Sequence, residues 1–119
     1  MSRLTWPFVL LCSMASAGWV SAEIGPSATG AKALDTCTGA ESAAQLSCLS
    51  YLVGFVHGLT VQSYLSDRKL TCIPDGVTPE QLRRVVVKWL EEHPENLHES
   101  AMGEVALALK NAFPCPAGK

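Results

Sequence analysis

The sequence predicts a small all-α domain, a disulfide-stapled bundle of about four helices. Three observations lead there. Residues 71–115 hold two helical periodicities back to back, each with its own start and stop signals. Residues 42–66 carry a longer apolar pattern, and no stretch alternates apolar and polar residues as a strand does. Four cysteines remain once an N-terminal export segment is set aside, an even number that fits two bridges in an oxidising compartment.

Residues 1–22 read as a cleaved signal peptide. Arg3 supplies a positive start, and residues 6–15 supply an apolar core of about ten residues, too short to span a bilayer. Val20-Ser21-Ala22 places small residues before Glu23, with Ala15-Ser16-Ala17 as a competing cut. Leu11 before Cys12 argues against a lipoprotein, which needs a small residue there. Cleavage places the protein in the periplasm and leaves 97 residues with Cys37, Cys48, Cys72 and Cys115. Four cysteines allow three connectivities. Nearest-neighbour pairing, Cys37–Cys48 and Cys72–Cys115, staples adjacent elements without crossing. A domain of this size buries only about two-thirds of its unfolded surface, so such bridges matter.

Residues 23–30 form a flexible Gly/Pro-bearing lead-in to a domain spanning 31–115. Residues 31–36 make a short helix ending near Cys37-Thr38-Gly39. Residues 42–66 make the longest one, with Leu46, Leu49, Leu52, Val53, Val56, Leu59 and Leu65 as its apolar content. Leu46 to Leu65 is twenty residues without an Asp, Glu, Lys or Arg, long enough to suggest a membrane span. Ser47, Ser50, His57, Thr60, Gln62 and Ser63 are spread along it, which favours a central helix buried on most sides. The Gly54/Gly58 pair then lets a second helix backbone of the bundle approach closely. Asp67-Arg68-Lys69 and Pro74-Asp75-Gly76 are turns.

The third helix has a complete start. Thr78 is the cap, Pro79 occupies the first helical position, Gln81 closes a capping box and Val77 staples onto Leu82. Leu82, Val85, Val86, Trp89 and Leu90 form its buried face, with Arg83, Arg84, Val87, Lys88, Glu91 and Glu92 opposite, and Pro94 ends it. Asn96 and Glu99 are spaced as a second capping box, followed by Leu97, Ala101, Val105, Ala108, Leu109 and Ala112 at helical period. Phe113-Pro114-Cys115 closes the fourth helix, and 116–119 is a tail.

Little here supports catalysis. There is no G-x-S-x-G elbow, Gly-rich phosphate loop or H-E-x-x-H, and no C-x-x-C or H-x-x-x-H pair for zinc. The reading is of a non-enzyme with no cofactor and no metal. His57, inside the apolar run, reads as a hydrogen-bonded core or interface residue. Glu92, His93, Glu95, Asn96, His98 and Glu99 make a polar corner between helices three and four, better suited to docking a partner than to holding a metal. Arg83, Arg84 and Lys88 offer a competing basic face. The processed chain carries 8 basic against 11 acidic residues, which argues against nucleic acid.

Cys48 with Tyr51, Gly54 and Gly58, then Cys72-Ile73-Pro74, Val77-Thr78, Gln81-Leu82, Val86, Leu90, Pro94, Ala108-Leu109 and Phe113-Pro114-Cys115 together resemble the Rap/Tai family. These are periplasmic immunity proteins against peptidoglycan amidase effectors delivered by type VI secretion. The similarity runs over about residues 34–115. C-I-P, V-T-x-x-Q-L and a terminal F-P-C are specific in combination, whereas each alone is weak. The resemblance implies an all-helical, disulfide-bearing domain without catalytic activity, commonly a homodimer, that binds an amidase and obstructs its cleft. The matching positions are cysteines, caps, glycines and core residues, so they carry the scaffold and not the contact surface. The alternatives are a periplasmic acid-stress holdase of the HdeA kind and an orphan envelope protein without a toxin partner.

Overall fold

A computed structural model describes residues 24–25 and 27–117; the signal peptide expected over residues 1–22 and the end of the 116–119 tail lie outside them. The described chain forms four helices: α1 (Gly30–Thr38), α2 (Ser42–Ser66), α3 (Pro79–Glu92) and α4 (Ala101–Ala112), with a 3-10 turn (Pro94–Asn96) between the last two. Helix α1 touches each of the others, and α3 packs on both α2 and α4. Among the described residues the sole β pairing is an isolated antiparallel bridge between Thr29 and Ser100.

Local chemistry explains most of the boundaries. At α3 the box is reciprocal: the Gln81 amide nitrogen donates to Thr78 Oγ1 (3.2 Å), and the Thr78 amide donates to Gln81 Oε1 (2.8 Å). Pro79 has no N–H, so two of the three orphan N–H groups at this helix start are thereby satisfied. Thr29 caps α1 through the Lys32 amide. Helix α2 stops at Asp67, which takes a left-handed conformation (φ 51°). In the next turn Gly76 has φ +87°, a region that side chains with a Cβ rarely enter.

The core is built from one face of each helix. Leu82, Val86 and Leu90 of α3 meet Ala101, Val105, Ala108 and Leu109 of α4, with Ala33 and Cys37 of α1 and Cys48 and Leu52 of α2. Both disulfides form with nearest-neighbour connectivity, Cys37–Cys48 and Cys72–Cys115. The first is wholly buried. The second ties the segment before α3 to the end of α4, and two interactions continue it. The Cys72 amide donates to Phe113 O (2.9 Å), and the Thr71 hydroxyl lies 3.0 Å from Leu109 O and 2.9 Å from Phe113 O. Leu109 O already accepts from the Phe113 amide (2.9 Å), whereas the Cys72 amide satisfies the Phe113 carbonyl beyond the end of α4. Arg83 does the same for α1, donating from Nη1 to Cys37 O at 2.7 Å.

Four expectations are corrected. The 42–66 helix is not buried on most sides: Cys48 and Leu52 are its fully buried residues, while Leu46, Val61, Tyr64 and Leu65 are exposed. No side chain or backbone of the bundle approaches Gly54 or Gly58 within 4 Å of where a Cβ would stand. Of the two readings of His57, core or interface, the core one does not hold, because the residue is exposed. Helix α4 begins at Ala101 with Ser100 as its cap, bonded to the Gly103 amide, and not at an Asn96–Glu99 box. The reason for the last is tertiary. The carbonyls of Leu97 and Glu99 accept from the amides of Ala31 (2.9 Å) and Gly30 (2.8 Å), which holds that segment out of helical conformation. In the lead-in, Ile24 is buried in the core, and the Ala101 amide donates to Ala28 O (2.8 Å).

Candidate partner-binding site

The six residues singled out between α3 and α4 do come together, on a corner held at both ends. Its pedestal is Trp89, in the last turn of α3. The His93 ring stacks on the Trp89 indole with centroids 3.9 Å apart, and His93 Nδ1 lies 2.7 Å from Trp89 O. A carbonyl oxygen only accepts, so Nδ1 carries the proton in this contact. Trp89 Nε1 donates to Oε2 of Glu104 at 2.8 Å, across to the first turn of α4. Glu104 is 3% exposed, so its carboxylate is a buried acceptor whose recorded side-chain donor is that indole.

The backbone of the corner is equally constrained. Asn96 N donates to His93 O (3.0 Å) and Glu99 N to Asn96 O (2.9 Å), while the α1 amides take the carbonyls of Leu97 and Glu99. Gly30 makes that approach possible. A Cβ there would stand 3.3 Å from Leu90 Cδ2, tighter than side chains normally pack, and 3.4 Å from Leu97 Cα, at the edge of ordinary contact. Glu92, Glu95, His98 and Glu99 point into solvent from this frame, with Asn96 partly covered. Glu92 is 3.8 Å from Lys88 Nζ, and Glu99 lies 3.2 Å from His98 Nε2. The result is an acidic, hydrogen-bonding projection on a rigid base.

The rival basic face is weaker than its residue types suggest. Arg83 forms two hydrogen bonds to Glu80 besides its bond to Cys37 O, and Arg84 is 3.6 Å from the same carboxylate. The bond from Arg83, with the positive charge beside it, holds the Glu80 carboxyl below the usual glutamate range and pushes the Arg83 guanidinium up. One acid thus serves two of the three cations, and Glu92 faces the third.

Two features were not seen in the sequence. The Trp89–Glu104 pair is one; its signal was Glu104 at i+3 from Ala101 on the buried face of α4, a position where a charge demands a partner. The other is a groove of about 560 Å³ between the second half of α2 and the loop before α3, lined by Val56, Leu59, Thr60, Tyr64, Ile73 and Val77 among others. Among the described residues no three His, Cys, Asp or Glu side chains are grouped to hold a metal. All four cysteines there are in disulfides, so none presents a thiolate.

A family model described as Rap1a immunity proteins matches residues 29–115. The chain belongs to the Rap1a immunity protein family. The match begins at the cap of α1 and ends at the last disulfide cysteine, so the Rap1a unit coincides with the helical bundle. No curated protein and no solved structure matches the chain. An immunity protein acts by binding a toxin. In this Rap1a member the corner around residues 92–99 is a prearranged set of polar groups.

Proposed function

We propose that the protein is a periplasmic immunity protein that binds a peptidoglycan amidase toxin delivered by type VI secretion and covers its active-site cleft, acting as a homodimer and catalysing nothing itself. The observation that carries this reading is the Rap1a family match across the whole bundle. The corner supports it physically. Association costs translational, rotational and side-chain freedom, and a segment already fixed by α1, Trp89 and Gly30 pays little further ordering entropy on docking. Glu92, Glu95 and Glu99 then steer and orient the partner, with His93, Asn96 and His98 supplying hydrogen bonds.

The test is inhibition of candidate cell-wall amidases by the purified, disulfide-bonded protein at neutral pH. The expected result is stoichiometric loss of peptidoglycan hydrolysis with one of them. Reversing charge at the corner (Glu92→Lys, Glu95→Lys, Glu99→Lys together) is expected to weaken inhibition at least ~10-fold, mainly through slower association. Unchanged inhibition with an intact helical spectrum removes the corner from the interface. Failure to inhibit any amidase, with suppression of client aggregation at low pH, replaces the reading with the holdase.

A further inference from the structure

Helix α2 is long and apolar enough to cross a membrane, yet only 11% of its apolar window is buried within the bundle. Its uncovered side is not uniform. Ala43, Ser47, Ser50, Gly54, Gly58, Val61 and Leu65 recur at spacings of three and four, which places them on one stripe of the helix. Along that stripe the N-terminal half is small and the C-terminal half is large, with the two glycines between. Gly54 is the central residue of Ser42–Ser66. Val61 is 56% exposed and Leu65 83%, while Gly54 and Gly58 have open space where a Cβ would go.

We infer that this stripe is the surface on which two copies of the chain pair, their α2 helices antiparallel and crossing at Gly54. The argument is self-complementarity. A two-fold contact sets the same surface against itself, so large groups must meet small ones under the symmetry operation. Antiparallel pairing about Gly54 does this: Val61 faces the partner subunit's Ser47, Leu65 faces the partner subunit's Ala43, and Gly58 faces the partner subunit's Ser50. Parallel pairing would set the large half against itself and leave a gap at the small half. Glycines at the crossing let the backbones approach closely. The stripe carries no Asp, Glu, Lys or Arg between Leu46 and Leu65, so self-contact creates no like-charge repulsion.

The area is of the right size. Val61 and Leu65 on the stripe, at 56 and 83% exposed, and Leu46 and Tyr64 along its flank, at 66 and 82%, together offer roughly 600 Å². The small residues add to this, against about 800 Å² per partner in a standard interface. A bilayer fits the helix less well. The opposite side of α2 is joined to α1 through the buried Cys37–Cys48 bridge and packs on α3, so a span would have to dismantle the core. The proposal deepens the homodimer part of the function above and shares no residue with the toxin-facing corner.

Sedimentation of the purified, disulfide-bonded protein in detergent-free buffer tests it. The parent is expected to be a dimer, and Val61→Glu with Leu65→Glu is expected to weaken self-association by about 30-fold or more with the helical spectrum unchanged. Orientation is read from cysteine variants: a mixture of Ser47→Cys and Val61→Cys chains is expected to cross-link to each other, and Val61→Cys chains not to themselves. Three results overturn the inference: a monomeric parent, a dimer indifferent to Val61→Glu/Leu65→Glu, or flotation of the parent with phosphatidylcholine/phosphatidylglycerol vesicles. A monomeric parent that still inhibits an amidase overturns the pairing surface and leaves the immunity reading standing.

Discussion

Replacing Trp89 by phenylalanine removes one hydrogen bond and keeps most of the ring. In this protein that bond is the 2.8 Å contact to the buried carboxylate of Glu104, and Trp89 is the only tryptophan after residue 22. A hydrogen bond to a charged group is worth roughly 1.5–3 kcal/mol, and the loss is greatest when the abandoned partner stays buried. Phenylalanine retains stacking on His93, so Trp89→Phe is expected to cost about 2–3 kcal/mol. For a domain of this size that corresponds to a fall in Tm of very roughly 10 °C.

Glu104→Met, of similar length, is expected to cost about 1–2 kcal/mol, since it leaves the indole N–H unpaired. The double variant removes both polar groups and is expected to be more stable than the sum of the two losses by ~1–2 kcal/mol. Urea unfolding followed by far-ultraviolet circular dichroism measures all four proteins without relying on tryptophan emission. A Trp89→Phe loss within about 0.5 kcal/mol of zero, or strict additivity in the cycle, refutes the view that this pair holds the corner. Because His93 rests on Trp89, toxin inhibition is expected to weaken in Trp89→Phe although no contacting side chain has changed.

Other outcomes follow from the same structure. On the chain-entropy treatment, opening Cys72–Cys115 (sequence separation 43) costs about 4 kcal/mol and opening Cys37–Cys48 (separation 11) about 3 kcal/mol. Paired Cys→Ala variants are expected to rank in that order by denaturant midpoint. Glu80, with its folded carboxyl held below the ordinary range, contributes stability above that range and loses it as pH falls through the lowered value. Glu80→Gln is therefore expected to flatten the acid limb of the stability profile, from the ordinary glutamate range downward, and to leave its slope at neutral pH unchanged. Gly76→Ala, at φ +87°, is expected to destabilise by ~1 kcal/mol or slightly more, read by thermal unfolding.

What was legible in the sequence is what short-range interactions decide. The Thr78–Gln81 box, the ends of α2 at Ser42 and Ser66 and the turn at Gly76 depend on groups within a few residues of each other. The disulfide pairing was legible because chain neighbours are also spatial neighbours in a small bundle. Tertiary structure decided the rest. An Asn96–Glu99 cap is locally sound, yet α1 takes the carbonyls of Leu97 and Glu99 from 66 and 69 residues away, and α4 starts at Ser100 instead. Apolarity told that α2 prefers to leave water but not which neighbours would cover it, because hydropathy is a property of one segment and burial a relation between segments. Within the described chain that coverage is incomplete.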